Sequence, residues 1–113
     1  MKNKNLISAD ELSLKEINLI LDTAKFMKND NEPILKGKIM AALFFEPSTR
    51  TRLSFESAML RLGGNVLGFS DPKVSSFTKG ETLWDTIKMV HSYADIIVIR
   101  HFMDGAARLA TEA

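Results

Sequence analysis

The sequence predicts an α/β fold, in which helices flank a parallel sheet of three strands. Two observations carry this prediction. Short apolar stretches alternate with longer segments of helical periodicity, in the order helix, strand, helix, strand, helix, strand, helix. The first apolar stretch, residues 38–45, is almost unbroken, which is typical of a strand buried on both faces of a parallel sheet. Right-handed crossovers are therefore expected between the strands.

The first predicted helix begins after Ser13 and runs to about Met27. Ser13 can cap this helix, and Glu16, three residues later, completes the pattern of a capping box. Apolar residues then recur at helical spacing, at Leu14, Ile17, Leu21 and Ala24. A polar loop, residues 29–33, separates this helix from the first strand.

The second predicted helix lies between two strands. Pro47 ends the first strand, and Ser48 and Thr49 can cap a helix that runs to Gly63. This helix carries a set of small and apolar positions that lead to the glycine stop. These are Leu53, Ser54, Ser57, Ala58, Leu60 and Leu62. Residues 66–69 follow as the second strand.

The last third of the chain continues the alternation. A polar loop, residues 70–80, leads into a third helix that runs to about Tyr93. Its apolar side carries Leu83, Ile87, Val90 and Ala94. Residues 95–100 form the third strand, and another helix begins at Asp104. Because three strands make a small sheet and the chain ends within a helix, we expect residues 1–113 to be one truncated domain.

The composition excludes several classes of function. With a net charge of +1, the 113-residue chain has no overall field that would attract nucleic acid or a membrane surface. The absence of cysteine removes disulfides, thiolate catalysis and cysteine metal sites. The two histidines and the scattered acidic residues lack the spacing of metal ligands, so we predict no metal. No apolar run is long enough to span a bilayer, and a cytoplasmic domain is expected.

Three polar clusters are expected at one edge of the sheet. They are residues 46–52 after the first strand, residues 70–80 after the second, and residues 100–101 at the end of the third. In open α/β sheets, ligands bind beyond the carboxyl ends of the strands. The clusters are distant in sequence, and the topology alone predicts that they meet.

The first cluster, residues 46–52, has the chemistry of an anion site. The hydroxyls of Ser48, Thr49 and Thr51 lie beside first-turn amides that have no partner within the helix. The positive end of a helix favours phosphate, and Arg50 adds a planar group that can bind two phosphate oxygens. The same residues could equally form a capped helix with two solvent-facing arginines, and spacing alone leaves both interpretations open. The glycines of a Walker loop are missing.

The other two clusters are less specific. Arg100 closes an apolar strand, where a cation could polarise a carbonyl oxygen that gains negative charge. Alternatively, its side chain extends along the strand end into solvent. Lys79 lies just before a helix, in a loop where most lysines are simply solvated. Neither residue alone identifies a site.

Residues 44–56, Phe-Phe-Glu-Pro-Ser-Thr-Arg-Thr-Arg-Leu-Ser-Phe-Glu, closely resemble the signature of the aspartate and ornithine carbamoyltransferases. The Ser-Thr-Arg-Thr-Arg core marks the family, and the flanking Glu-Pro and Ser-Phe-Glu resemble its aspartate branch. Two further blocks, residues 79–86 and 100–110, resemble that branch in the same order. The three blocks cover nearly the whole chain, so the resemblance is specific.

This resemblance implies a domain that binds carbamoyl phosphate. Four residues would bind the phosphate: Ser48, Thr49, Arg50 and Thr51. Thr51 and Arg100 would contact the carbonyl oxygen, and Arg52 would steady the site through ion pairs. Ser75 and Lys79 resemble loop residues that, in this family, reach into the active site of a neighbouring subunit. The resemblance therefore implies a homotrimer whose active sites are shared between subunits.

The implied reaction transfers the carbamoyl group to the amino group of L-aspartate and gives N-carbamoyl-L-aspartate and phosphate, an early step of pyrimidine biosynthesis. Arg50, Thr51 and Arg100 would be its catalytic residues, and the resemblance implies no cofactor. The aspartate-binding domain would be absent from this chain, so transfer by the chain alone is expected to be weak or lacking. A regulatory chain is a further candidate partner.

Two other interpretations stay open. The chain could be an inactive fragment that binds carbamoyl phosphate or assembles with full-length chains. It could also belong to the ornithine branch, which the Glu46-Pro47 and Lys79-Gly80-Glu81 segments disfavour. Phe102 replaces the proline that usually follows the Arg-His pair in this family, and this departure could change how Arg100 is aimed.

Overall fold

The computed structural model describes residues 4–28, 32–69, 83–102 and 105–112. The chain divides into two compact units, Met1–Asn31 and Glu32–Ala113. The first unit holds a short 3-10 helix, Ala9–Glu11, which the sequence had not predicted, and helix α1, Leu14–Met27. The second unit holds the sheet and three further helices. Within the described ranges, no helix is both long enough and apolar enough to cross a membrane.

The capping box at the start of α1 is confirmed. The Ser13 hydroxyl accepts a hydrogen bond from the Glu16 N–H at 3.1 Å, and a Glu16 carboxylate oxygen accepts one from the Ser13 N–H at 2.9 Å. This backbone hydrogen bond, together with a nearby Lys4 ammonium, lowers the pKa of Glu16. The apolar residues of α1 follow helical spacing, yet none is buried, and Leu14 is 73% exposed. Spacing specifies a helix, whereas burial also needs a packing partner.

The sheet confirms the predicted α/β fold. It contains strand β1, Ile39–Phe44, strand β2, Asn65–Phe69, and strand β3, Ile96–Arg100. The strands lie in the order β2-β1-β3, and both pairs are parallel. The central strand, β1, is buried along nearly its whole length, as its unbroken apolar sequence predicts.

Helices cover the two faces of β1. They are α2, Thr49–Arg61, α3, Leu83–His91, and α4, Ala106–Glu112. On one face, alternate residues of β1 and Phe45 just after it pack with residues of α3 and α4: Ala41, Leu43, Phe45, Leu83, Ile87, Val90 and Ala106. On the other face, the intervening β1 residues pack with one residue of α2: Met40, Ala42, Phe44 and Met59. The two-residue period of the strand thus distributes β1 between two core clusters.

The apolar positions of α2 do not identify its buried residue. Met59 is the buried residue of this helix, whereas Leu53 and Leu60 are 51% and 58% exposed. Successive helical residues are rotated by about 100°, so neither leucine shares the direction of Met59. The prediction counted apolar positions, but the orientation of the helix against β1 selects the single methionine.

Helix α3 follows its prediction more closely. Leu83, Ile87 and Val90 are buried on one side, as expected, and Thr86 is buried with them. The helix ends at His91, and Ala94 packs against the same core from the segment that follows. The first turn predicted at residues 81–82 lies outside the described residues.

Candidate functional site

The carboxyl ends of β1 and β3 lie side by side. The strand register places Phe44 opposite Arg100, and the Phe45 N–H donates a hydrogen bond to the Arg100 carbonyl oxygen at 2.8 Å. The chain leaves β1 toward β2 on one side and returns to β3 on the other. This arrangement creates a topological switch point between β1 and β3, which is where open α/β sheets bind their ligands.

Arg100 joins the polar segment that follows β1. Its Nε donates to Oε1 of Glu46 at 2.9 Å, and its Nη1 donates to Oγ of Ser48 at 2.7 Å. The predicted alternative, in which this arginine simply extends into solvent, is therefore not the one observed. Both members of the ion pair remain partly exposed, at 46% for Arg100 and 35% for Glu46. An ion pair this accessible is worth no more than about 1 kcal/mol, so a ligand can compete for the guanidinium.

The N-terminus of α2 has no side-chain cap. Ser48 occupies the N-cap position, as expected, but its side chain makes no cap hydrogen bond. Its hydroxyl accepts a hydrogen bond from Arg100 instead. The first-turn amides of a helix have no partner within the helix, and a serine N-cap normally satisfies one of them. The predicted cap is therefore wrong in its hydrogen bonding, and the positive end of α2 is left available to an anion.

The two arginines of the first turn of α2 have different surroundings. Arg52 Nη1 donates to Oε2 of Glu56, one turn along the helix, at 2.9 Å. Arg50 is exposed, and no hydrogen bond or ion pair joins its side chain to another residue of the described ranges. Arg50 is thus the arginine that can turn toward a ligand, while Arg52 is held along the helix.

The remaining predicted residues divide into two groups. Thr49 is exposed and Thr51 is partly buried in the first turn of α2, close in sequence to Ser48 and Arg50. Ser75 and Lys79 lie outside the described residues. Four of the predicted residues therefore share one helical turn, and Arg100 reaches that turn through its contact with Ser48.

Two neighbours of the site were not assigned a role in it from the sequence. Glu46 pairs with Arg100. The ring of His101 lies 4.6 Å from the ring of Phe45 and 4.5 Å from that of Phe102. Burial lowers the pKa of His101, and the nearby Glu46 carboxylate opposes that shift. In the sequence, the signal for a role of Glu46 and His101 in the site was their position at the ends of two adjacent strands.

The site combines an uncapped helix N-terminus, three hydroxyls and two guanidinium groups. Such a set recognises a phosphate group or another compact oxyanion. Across residues 4–28, 32–69, 83–102 and 105–112, no group of three or more histidine or acidic side chains could hold a metal ion. Fold and site together define an α/β domain with a candidate anion site at its switch point.

The comparisons with known proteins identify the family. The sequence model of the aspartate/ornithine carbamoyltransferase carbamoyl-P binding domain matches residues 4–113, so the chain belongs to this family. The aspartate carbamoyltransferase catalytic subunit of Phocaeicola vulgatus is 60% identical over 113 residues, which are 99% of this chain and 36% of that protein. The corresponding subunit of Picrophilus torridus is 58% identical over 114 residues, and the match covers 96% of this chain and 38% of that protein.

Solved structures agree with this relationship. The catalytic subunit of M. jannaschii aspartate transcarbamoylase superposes with a TM-score of 0.88 at 54% identity, covering 95% of this chain and 38% of that one. Aspartate transcarbamoylase from Trypanosoma cruzi, solved in complex with carbamoyl phosphate, superposes with a TM-score of 0.89 at 40% identity. The match covers 96% of this chain and 37% of that one. The chain thus spans little more than a third of the length of these relatives.

Proposed function

We propose that this chain is the carbamoyl-phosphate-binding part of an aspartate carbamoyltransferase. The reaction transfers the carbamoyl group of carbamoyl phosphate to the amino group of L-aspartate, in the early part of pyrimidine biosynthesis. The observation that carries the proposal is the uncapped N-terminus of α2, with Arg50 exposed on it and Arg100 beside it. The P. vulgatus and P. torridus relatives are aspartate carbamoyltransferase catalytic subunits, and the T. cruzi enzyme has also been solved in complex with carbamoyl phosphate and aspartate.

In this proposal, the first turn of α2 binds the phosphate. The backbone amides and the hydroxyls of Ser48, Thr49 and Thr51 donate hydrogen bonds to phosphate oxygens. Arg50 binds two of these oxygens with its planar guanidinium. The carbonyl oxygen of the carbamoyl group then faces Thr51 and Arg100, because β3 ends beside this turn.

The chemistry is an acyl transfer to an amine. The neutral amino group of aspartate attacks the carbamoyl carbon, a C–N bond forms, and negative charge develops on the carbonyl oxygen. Arg100 and Thr51 stabilise that charge. The C–O bond to phosphate then breaks, the proton of the amine passes to the leaving phosphate oxygen, and Arg50 and the helix amides hold the resulting hydrogen phosphate dianion. No cofactor and no covalent enzyme intermediate enter this scheme.

Arg100 has to exchange partners when the substrate binds. In the described structure its guanidinium is engaged by Glu46 and Ser48. The ligand replaces these contacts with its own carbonyl and phosphate oxygens. Because the existing ion pair is partly exposed, the exchange costs only about 1 kcal/mol or less.

The second substrate and the assembly complete the proposal. L-aspartate binds to a part of the longer protein that this chain does not include, so the chain alone transfers weakly or not at all. Ser75 and Lys79 serve the active site of a neighbouring subunit in a homotrimer, and a regulatory chain is a candidate partner. The cytoplasm remains the proposed location.

The test is a calorimetric titration of carbamoyl phosphate into the chain and two arginine variants. We expect Arg50→Ala to weaken binding by about ten- to a hundredfold, the value of a lost charge-assisted hydrogen-bond pair. Arg61→Ala is the matched control, because Arg61 lies at the opposite end of the same helix and bonds Ser57. Its affinity should equal that of the wild type.

Inorganic phosphate, titrated as a competitor, should displace carbamoyl phosphate from the wild-type chain. If Arg50→Ala and Arg61→Ala lower the affinity equally, the helix N-terminus is not the phosphate site. A wild-type chain that stays folded but binds no carbamoyl phosphate would refute the proposal.

A further inference from the structure

His101 lies at the junction of the two strands that form the site. Its ring is stacked on Phe102 at 4.5 Å, with only 23° between the ring planes. The ring of Phe45 lies on it at 4.6 Å and is tilted by 48°. Phe45 is 2% exposed and belongs to the core, whereas Phe102 is 58% exposed. We define these three rings, Phe45, His101 and Phe102, as the rim stack.

The rim stack shares a residue with the hydrogen bond that joins the two strand ends. Phe45 donates its N–H to the Arg100 carbonyl oxygen, and its ring contacts the side chain that immediately follows Arg100. The peptide unit after Arg100 is therefore fixed at its carbonyl oxygen and again at the next side chain. Both contacts restrict rotation of the backbone on the carboxyl side of Arg100.

We infer that His101 is a positioning residue, whose stacked ring fixes the direction in which Arg100 leaves the end of β3. An arginine side chain has several rotatable bonds, so its aim depends on a fixed starting point at its own backbone. Arg100 reaches two acceptors, Glu46 and Ser48, and both lie on the segment that follows Phe45. This inference rests on the proposed function, in which the same guanidinium contacts carbamoyl phosphate.

The charges around the ring agree with this role. The Glu46 carboxylate, which follows Phe45, acts on the His101 ring, and the same carboxylate pairs with Arg100. Burial lowers the pKa of His101, so its imidazole is neutral at neutral pH. A neutral ring leaves Glu46 to pair with Arg100, whereas an imidazolium would compete for that carboxylate.

The test is a mutant cycle read by carbamoyl-phosphate affinity. We expect His101→Ala to weaken binding by about five- to tenfold, the equivalent of one aromatic stacking contact, and His101→Phe to stay within about twofold of the wild type. In an Arg100→Ala background, His101→Ala should cause no further loss, because the residue that it positions is gone. A purely structural effect would persist in that background.

Phe102→Ala covers the case in which His101→Ala does not fold. Phe102 is exposed, so its removal spares the core while it opens the rim stack, and binding should weaken by about threefold. Unfolding curves of every variant establish that the proteins compared are folded.

Each outcome decides between the two proposals. Unchanged affinity in His101→Ala or Phe102→Ala, or an undiminished loss in the Arg100→Ala background, overturns the positioning role. In those cases Arg50→Ala still weakens binding, and the proposed function stands. A folded wild-type chain that does not bind carbamoyl phosphate overturns both.

Discussion

At the scale of single residues, the site is held by side chains that have more than one available partner. Arg100 is shared between a carboxylate and a hydroxyl, and the hydroxyl it uses belongs to the N-cap residue of α2. The same contact therefore holds the arginine and leaves the helix amides without their usual acceptor. A phosphate ligand would satisfy both, because it accepts hydrogen bonds from amides and guanidinium alike.

Because Glu46 and a phosphate ligand would compete for Arg100, Glu46 is the first residue to test. Glu46→Gln removes the charge that pairs with Arg100 but keeps the shape of the side chain. We expect carbamoyl phosphate to bind about two- to fivefold more tightly to this variant, since an exposed ion pair of up to about 1 kcal/mol no longer has to be displaced. Calorimetric titration measures the change.

Glu56→Gln is the matched control for that variant. Glu56 pairs with Arg52 on the same helix, so its loss should leave the affinity within about twofold of the wild type. Weaker binding by Glu46→Gln would show that the carboxylate aids the ligand rather than competing with it.

At the scale of elements, the sheet depends on close contact between β1 and β2. Gly68 of β2 lies opposite Ala42 of β1 and has a φ of +138°, a conformation that favours glycine. A Cβ atom at this position would collide with the Ala42 carbonyl oxygen, which belongs to the backbone and cannot move aside. At Gly68, β2 therefore lies closer to β1 than a residue with a side chain would permit.

Gly68→Ala should therefore destabilise the fold by more than about 2 kcal/mol, as expected where backbone strain and a steric clash combine. The control is Gly37→Ala, because Gly37 also has a positive φ, +83°, but a Cβ atom there meets nothing within 4 Å. We expect that control to cost only the strain of the conformation, about 1 kcal/mol. Urea unfolding gives both free energies, and equal losses would show that the contact with Ala42 adds nothing.

At the scale of the whole molecule, His101 links stability to pH. Its pKa in the folded chain is lowered from the ordinary value of 6.5, chiefly by burial. Below pH 6.5 the unfolded chain therefore binds more protons than the folded one. The free energy of unfolding consequently decreases as the pH is lowered, until the pH lies below the pKa of the folded state. Well above pH 6.5 neither state is protonated at this residue, and its contribution is constant.

Urea unfolding of the wild type and of His101→Phe across this range measures that effect. The difference in stability between the two proteins should be constant well above pH 6.5 and should shift in favour of His101→Phe as the pH falls through and below that value. A difference that does not change with pH would contradict the lowered pKa. Glu16 also loses stabilising contacts on acidification, but it does so at lower pH and equally in both proteins.

Much of the fold and part of the site could be predicted because the signals are local. The unbroken apolar run of β1, the capping box at Ser13 and the alternation of helix and strand each depend on residues a few positions apart. The polar set from Ser48 to Thr51 was predicted on the same basis, since one helical turn brings neighbouring residues together. The apolar pattern of α2 did not identify Met59 as its buried residue, because burial depends on how α2 lies on β1.

The sequence by itself determined the α/β order of elements and the position of the helical turn that we propose binds phosphate. Only the tertiary structure decided that Ser48 bonds Arg100 instead of capping α2, that Glu46 pairs with Arg100, and that Met59 is the buried residue of its helix. Arg100 and Glu46 are 54 positions apart, and they meet because β1 and β3 pair in parallel register. Such contacts follow from strand pairing and helix orientation, which the whole core fixes at once.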